Sequence, residues 1–321
     1  MKKMKLLGLP MAGVLALSAP VLAQAWPSRP VTFIVTSAPG GPHGVVAKLI
    51  GDQLEKKWGQ PVIVDYKAGA AGLLGSDFVK RAAPDGYTVL FGADSLTTIR
   101  IFVKNTDFDM EKDLAPITIA AYTPFIVHTT SKVPAKNMKE FIAYAKTQPG
   151  KLNYGVIGQS QQMLDSMILT RTAGLDMVAV PYLGAAPLLT ALLGGDLQLY
   201  VGSYSASAQH IKAGSLVPLA AAGDQRNEAL PDVPTLKEQG IDQLAGFWYG
   251  FFANKDTPRP IADKLTADIR EAMQKPEIVD ELRSKFGLYV IASTQQEMAQ
   301  RVAREIKMRT EAANAANIQP Q

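Results

Sequence analysis

The glycine-rich loops that follow short apolar runs are the segments of this sequence best suited to chemistry. The run VTFIV at 31–35 breaks at SAPGGP and continues as an amphipathic stretch that reaches Trp58. This order predicts a strand, a loop and a helix. The first N–H groups of a helix have no intrahelical partner and its N-terminus carries partial positive charge, so we expect this loop to bind an anion. The alternative is an ordinary tight turn that binds nothing.

Five loops of this kind follow predicted strands, and ligands of open α/β sheets bind at the carboxyl ends of strands. The loops span residues 37–44, 68–75, 92–98, 158–162 and 202–207. They carry the hydroxyls and amides of Ser37, Ser95, Thr97, Gln159, Ser160, Gln161, Ser203 and Ser205. Neutral donors and acceptors suit a site that holds a ligand without transforming it. Tyr204, which stands between two of the serines, is a candidate to stack on that ligand.

The three histidines do not have the spacing of a metal site. His43 lies in the first loop and is either a donor to a ligand carboxylate or a solvent-facing residue. His128 lies in an apolar run, which predicts a buried structural histidine. His210 begins a polar stretch and indicates little.

No motif with a catalytic mechanism is present. The GxSxG elbow of serine hydrolases is absent, because Ser160 is followed by two glutamines and the segment that reaches Ser95 lacks the trailing glycine. The glycines of AGAAGLLG are spaced GxxGxxG, which does not match the dinucleotide fingerprint GxGxxG. We therefore predict that the protein is not an enzyme and has no catalytic residue, no metal and no cofactor.

Residues 1–25 have the pattern of a secretory signal peptide. Three lysines precede an apolar core, and Ala23-Gln24-Ala25 provides the cleavage site. Without those lysines the formal net charge falls from +4 to +1, so the mature chain lacks the basic cluster typical of nucleic-acid binding. The chain has no cysteine, which excludes disulfides and thiolate chemistry.

Strand-like and helix-like stretches alternate from residue 30 to the C-terminus. The predicted strands are 31–35, 62–66, 88–92, 117–121, 125–129, 152–156, 177–182, 197–202, 216–222 and 248–253. Gly59 is predicted to end the first helix, Thr257 to cap a helix that runs to about Gln274, and Thr294 with Glu297 to form a capping box. The pattern predicts an α/β fold of two mainly parallel sheets flanked by helices, with chain crossings near 122–124 and 244–247.

Longer motifs carry a specific resemblance to a known family. PSRP, GQPVIV, PDGYT, VPY-x-G and LPDVPT occur in that order after Trp26. They resemble the substrate-binding proteins of tripartite tricarboxylate transporters, also called the TctC or Bug family. The resemblance covers the whole mature chain. It implies a periplasmic, two-lobed binding protein of type II-like fold that closes on a small carboxylate and delivers it to the membrane subunits of such a transporter.

The resemblance also implies the layout of the lobes and of the ligand cleft between them. We expect a monomer with residues 26–124 and 248–321 in lobe 1 and residues 125–247 in lobe 2. The implied ligand-binding residues are Ser37, Ala38, Gly41, His43, Gly44, Ala70, Ala71, Asp94, Ser95, Gln159, Ser160, Gln161, Ser203, Tyr204 and Ser205. Two rival functions stay open, a ligand-presenting partner of a signalling receptor and an exported hydrolase.

Three positions depart from the family pattern. Family members commonly have Thr-Asp where this chain has His43 and Gly44, and a second acidic position is here Gly202. A buried cation needs a paired charge, so the loss of both acids predicts that amino acids are poor ligands. We expect the glycines to leave room for a ring beside Tyr204, and hence an aromatic or otherwise bulky mono- or dicarboxylate.

Overall fold

The computed structural model describes residues 26–223, 225–243 and 246–320. The predicted signal peptide, residues 1–25, and both Leu244 and Ala245 of the second predicted crossing lie outside them. In the described residues the strands are β1 Val31–Val35, β2 Val62–Tyr66, β3 Thr88–Ala93, β4 Leu114–Thr130, β5 Leu152–Ile157, β6 Met177–Tyr182, β7 Leu199–Ser203, β8 Leu216–Ala221, β9 Gly246–Asn254 and β10 Tyr289–Val290. The helices are α1 Pro42–Trp58, α2 Leu73–Arg81, α3 Ile99–Phe102, α4 Met110–Asp113, α5 Met138–Lys146, α6 Gln161–Thr172, α7 Ala185–Gly194, α8 Tyr204–Lys212, α9 Arg259–Met273, α10 Pro276–Phe286 and α11 Gln295–Ala315.

Local sequence signals account for most helix ends. Gly59 follows α1 with a φ of 64°, a left-handed conformation that glycine adopts without strain. Thr294 and Glu297 form the predicted capping box at the start of α11. The predicted cap at Thr257 is wrong, because Pro258 occupies the N-cap position of α9 and leaves the hydroxyl of Thr257 one residue too far upstream.

Two sheets share one strand, β4. The first sheet has the order β2-β1-β3-β9-β4, and β10 also pairs with β4. The second has the order β6-β5-β7-β4, and β8 also pairs with β4. Residues 114–124 of β4 pair with β9, and residues 125–130 pair with β7 and β8. Helices cover these sheets, so the predicted α/β architecture is confirmed.

Two details differ from the expectation. The strands predicted at 117–121 and 125–129 are one strand, because Pro124 lies where β4 changes partner and a missing N–H is tolerated there. The sheets also contain more antiparallel strand pairs than expected. Since β4 leads into the second sheet and β9 returns beside it, these two central strands pair antiparallel.

Strand direction places the carboxyl edges of the two sheets opposite each other. β1 and β3 run in the direction of β4, because β3 and β4 are both antiparallel to β9. β5, β6 and β7 run against β4. Ala93, the last residue of β3, pairs with Tyr249 of β9, and Tyr249 pairs on its other side with Ala121 of β4. Ser203, the last residue of β7, pairs with Phe125 of β4. Four residues of β4 therefore separate the two edges, about 13 Å.

Separate apolar cores support the two sheets. Phe33 and Phe251 belong to the core beneath α1 and α9, and Phe141 belongs to the core of the second sheet. Trp248 is completely buried. Among the described helices, none is long and apolar enough to cross a membrane.

Candidate ligand-binding cleft

The loop after β1 presents unpaired backbone N–H groups at the start of α1. Gly41 is the N-cap, and no side chain caps the helix. Ser37, Ala38 and Gly41 are partly or fully exposed. Their N–H groups donate to no other backbone group of the described chain. An uncapped helix start with free N–H groups can accept an anion.

The loop after β2 has an unusual backbone conformation. Gly69, Ala70, Ala71 and Gly72 have φ values of 137°, 47°, 56° and 99°. Positive φ costs an alanine energy that it does not cost glycine. The hydroxyl of Ser95, after β3, donates to the carbonyl oxygen of Ala71 at 3.1 Å and ties the two loops together. Strain held in place by a neighbour in this way is typical of functional loops.

His43 is buried against the first sheet. Its ring stacks on Tyr249 with centroids 4.3 Å apart and lies 4.8 Å from the ring of Phe91. Burial lowers its pKa to about 4, although hydrogen bonds to the backbone of Phe91 and Gly92 act in the opposite direction. The ring is therefore neutral near pH 7, and its Nε2 has no partner in the described chain. The solvent-facing alternative is wrong, because the first turn of α1 holds the ring on the sheet.

The room expected at the two departing glycines is filled by tyrosines. A Cβ added to Gly44 would lie 2.7 Å from Cε1 of Tyr66. A Cβ added to Gly202 would lie 2.6 Å from Cε1 of Tyr200. The expectation that these glycines leave space for a ring of the ligand is therefore wrong, because rings from the chain's own strands occupy it.

In the second sheet, polar groups lie where β5 leads into α6. Gln159 is exposed, and the hydroxyl of Ser160 caps α6 by accepting from the N–H of Met163 at 3.3 Å. The amide of Gln161 is engaged inside the protein, because its Nε2 donates to Asp165 at 3.0 Å and to the carbonyl oxygen of Gly246. Of these candidates, Gln159 and Ser160 remain accessible to a ligand.

The junction of β7 and α8 contains the other second-sheet candidates. Tyr204 is the half-buried first residue of α8, so it stands on a helix and not in the predicted loop. The hydroxyl of Ser205 donates to that of Ser203 at 3.3 Å. Neither α7 nor α8 has a side-chain cap at its N-terminus. Both helices therefore leave backbone donors unpaired at this edge.

A buried charge cluster beside the loops has no counterpart among the sequence predictions. Arg309 of α11 is 2% exposed. Its guanidinium donates to Asp165 at 3.1 Å, to Glu305 at 3.0 Å and to the hydroxyl of Thr97. The cluster thus joins α11 to α6 and to the turn after β3. Its members come from three distant segments, and only the i, i+4 spacing of Glu305 and Arg309 is a sequence signal.

Asp94 belongs to this cluster and not to the open surface. Its side chain is completely buried, and neither carboxyl oxygen accepts a hydrogen bond in the described chain. Burial raises its pKa well above the usual range, and the 3.9 Å approach of Arg309 offsets only part of that effect. Burial therefore favours the neutral form of Asp94. In this structure its side chain is completely buried beside Arg309 and does not offer the expected contact to a ligand.

A serine–histidine pair is present but closed to substrates. Nε2 of His128 lies 2.6 Å from the hydroxyl of Ser207, and its Nδ1 lies 3.3 Å from the carbonyl oxygen of Tyr200. Both side chains are completely buried. His128 is therefore the structural histidine that the sequence predicts. The described residues include no cluster of His, Asp and Glu that could hold a metal ion.

This architecture, with two lobes and opposed carboxyl edges, is that of the periplasmic binding proteins. The chain belongs to the TctC family, the tripartite tricarboxylate transporter family receptors, whose sequence profile matches residues 46–318. BugT of Bordetella pertussis is 31% identical over 285 residues, which cover 87% of this chain and 87% of BugT. The resemblance predicted from the motifs is thereby confirmed, and the family is one of solute-binding transport proteins.

Solved structures of three relatives share the fold. A ligand-free TctC solute-binding protein from Polaromonas is 27% identical, with a TM-score of 0.83 over 90% of this chain and 99% of its own. R. palustris Rpa4515 with adipate is 28% identical, with a TM-score of 0.68 over 92% and 100%. MatC from Rhodopseudomonas palustris with bound malate is 29% identical, with a TM-score of 0.64 over 90% and 100%. At similar identity, the chain is most like the ligand-free one of these three.

Proposed function

We propose that this protein captures a small dicarboxylate between its lobes and delivers it to the membrane subunits of a tripartite tricarboxylate-type transporter. The observation that carries the proposal is the opposition of two carboxyl edges at which α1, α7 and α8 begin without side-chain caps. Unpaired N–H groups hold a carboxylate without a cationic partner. Relatives with bound adipate and malate support this class of ligand.

The site draws on both lobes, residues 26–124 with 248–321 and residues 125–247. In lobe 1 the ligand contacts are the backbone of residues 37–44 and 69–72 and the Ser95 hydroxyl. In lobe 2 they are Gln159, Ser160 and the segment 203–205. Asp94 and Gln161 shape the site through the contacts that hold its loops, because their side chains are buried and face the protein.

Ligand capture shifts an equilibrium between open and closed lobes. A ligand that contacts both edges binds the closed arrangement better and raises its population. The greater likeness to the ligand-free relative supports an open arrangement in this structure. The membrane subunits then distinguish the closed from the open surface, in the periplasm where the mature chain acts as a monomer.

The test is a thermal-shift screen of the mature chain, residues 26–321, against mono-, di- and tricarboxylates. A dicarboxylate that binds the folded state raises the Tm, by an amount that grows with the ratio of its free concentration to its Kd. Absence of a shift with every carboxylate, together with a shift for an uncharged solute, contradicts the proposal. Hydrolysis of an ester or amide by the chain would favour the rival hydrolase, although the one Ser–His contact described above is buried. Ligand-dependent capture of a receptor, and not of the transporter subunits, from membranes would favour the sensing role.

A further inference from the structure

Each lobe places a tyrosine over a glycine at its carboxyl edge. Tyr66 is the last residue of β2, and its ring lies over Gly44 in the first turn of α1. Tyr200 leans along β7 over Gly202, toward the end of its strand. In both pairs the phenol oxygen is among the three atoms nearest to the position of a Cβ. The two hydroxyls therefore lie at the edges that face each other.

Both hydroxyls are available as donors. Within the described chain, neither phenol oxygen makes a hydrogen bond. Tyr66 is half-buried, and Tyr200 is 2% exposed with its ring stacked on His128 at 5.5 Å. Burial raises the pKa of Tyr200 to about 12, so its hydroxyl keeps its proton. A desolvated donor of this kind is stabilised when a ligand supplies an acceptor.

We propose that Tyr66 and Tyr200 are the specificity-determining residues of the cleft, each donating a hydrogen bond to one end of a dicarboxylate. The inference rests on the proposed function and narrows its ligand. A carboxylate oxygen is a strong acceptor for a phenol hydroxyl.

The same arrangement excludes an amino group. An ammonium ion in a closed cleft requires an ionised partner. Asp94, the carboxyl group at the edge of lobe 1, is completely buried, and burial raises its pKa. Asp65, on β2, lies 3.1 Å from Lys67 and is already paired. Gly44 and Gly202 have no side chain, and the rings of Tyr66 and Tyr200 that lie over them are neutral. Neither position therefore supplies a negative charge to an ammonium group.

Calorimetric titration with succinate, butyrate and aspartate tests the inference, because these four-carbon ligands differ in one group at a time. The wild-type protein is compared with Tyr66→Phe, Tyr200→Phe and the control Tyr144→Phe, which changes a tyrosine of α5 away from the edges. The phenylalanines keep the rings and remove the hydroxyls. We expect each edge variant to lose about ten- to hundredfold affinity for succinate. The control keeps wild-type affinity.

The effect on butyrate separates the two ends. With one carboxylate, butyrate loses affinity in only one of the two edge variants. If both edge variants bind succinate with wild-type affinity, the inference is wrong and the proposed function still stands. Tighter wild-type binding of aspartate than of succinate also overturns it. Failure of the wild-type protein to bind any carboxylate, in this titration and in the thermal screen, overturns the proposed function itself.

Discussion

The guanidinium of Arg309 donates to the carboxylate of Asp165 at 3.1 Å and thereby joins the C-terminal helix α11 to α6 of the second sheet. The two residues are 144 positions apart in the sequence, and both are almost completely buried. The same arginine contacts Thr97 and approaches Asp94 in the turn after β3. Loops proposed to contact the ligand from opposite lobes are thus linked through one side chain.

Arg309→Met should destabilise the protein by about 3–5 kcal/mol, because it leaves the buried carboxylate of Asp165 without its charged partner and removes one of the two arginines that pair with Glu305. Urea unfolding measures this difference. Arg304→Met is the matched control on the same helix, since Arg304 forms an exposed pair with Asp242 at 3.1 Å. The control should cost no more than about 1 kcal/mol. Equal losses in both variants would show that Arg309 has no special structural role.

Asp94→Asn should keep or raise the free energy of unfolding at neutral pH. The raised pKa of Asp94 means that its neutral form stabilises the fold at pH values below the unfolded pKa of about 4. That contribution is lost as the pH rises through the folded pKa, and asparagine has no such dependence. Unfolding curves of both proteins across the pH range measure it. A variant that becomes progressively less stable than wild type as the pH rises would contradict a raised pKa of Asp94.

His43 should make the ligand-free protein sensitive to mild acid. Its folded pKa of about 4 lies below the unfolded value of 6.5. Its contribution is therefore complete above pH 6.5 and is lost as the pH falls toward 4, by about 1.4 kcal/mol per pH unit. His43→Phe retains a ring against Tyr249 and should remove this part of the slope. Burial also lowers the pKa of His128 to about 4. The difference between the two pH profiles separates the contribution of His43 to stability from that of His128.

Gly44→Asp should weaken carboxylate binding by charge repulsion at the start of α1. The new side chain also displaces the ring of Tyr66, so Gly44→Ala serves as the steric control. If Gly44→Asp loses more carboxylate affinity than Gly44→Ala, and added salt reduces the difference, charge repulsion is the cause. Equal losses would assign the whole effect to Tyr66.

The parts of the fold that depend on local chemistry are predictable from the sequence. Gly59 ends α1 and the Thr294 capping box begins α11 because their signals lie within a few residues. Pro124 misleads, because its tolerance in β4 depends on a change of partner strand that only the tertiary structure shows. The same limit applies to the site. Gly44 is recognisable as unusual, but the ring that fills its space comes from β2 and leaves no local signal.

The position of β9 sets an order of events for folding. β9 lies between β3 and β4 in the first sheet, yet residues 246–254 follow β4 by more than a hundred positions. Strands β1 to β3 therefore cannot join β4 until most of the chain is present, whereas β5, β6 and β7 close onto β4 within a continuous segment. Contacts of such long sequence separation form slowly. Refolding should accordingly occur in two phases, with the second sheet first and the insertion of β9 as the slower step.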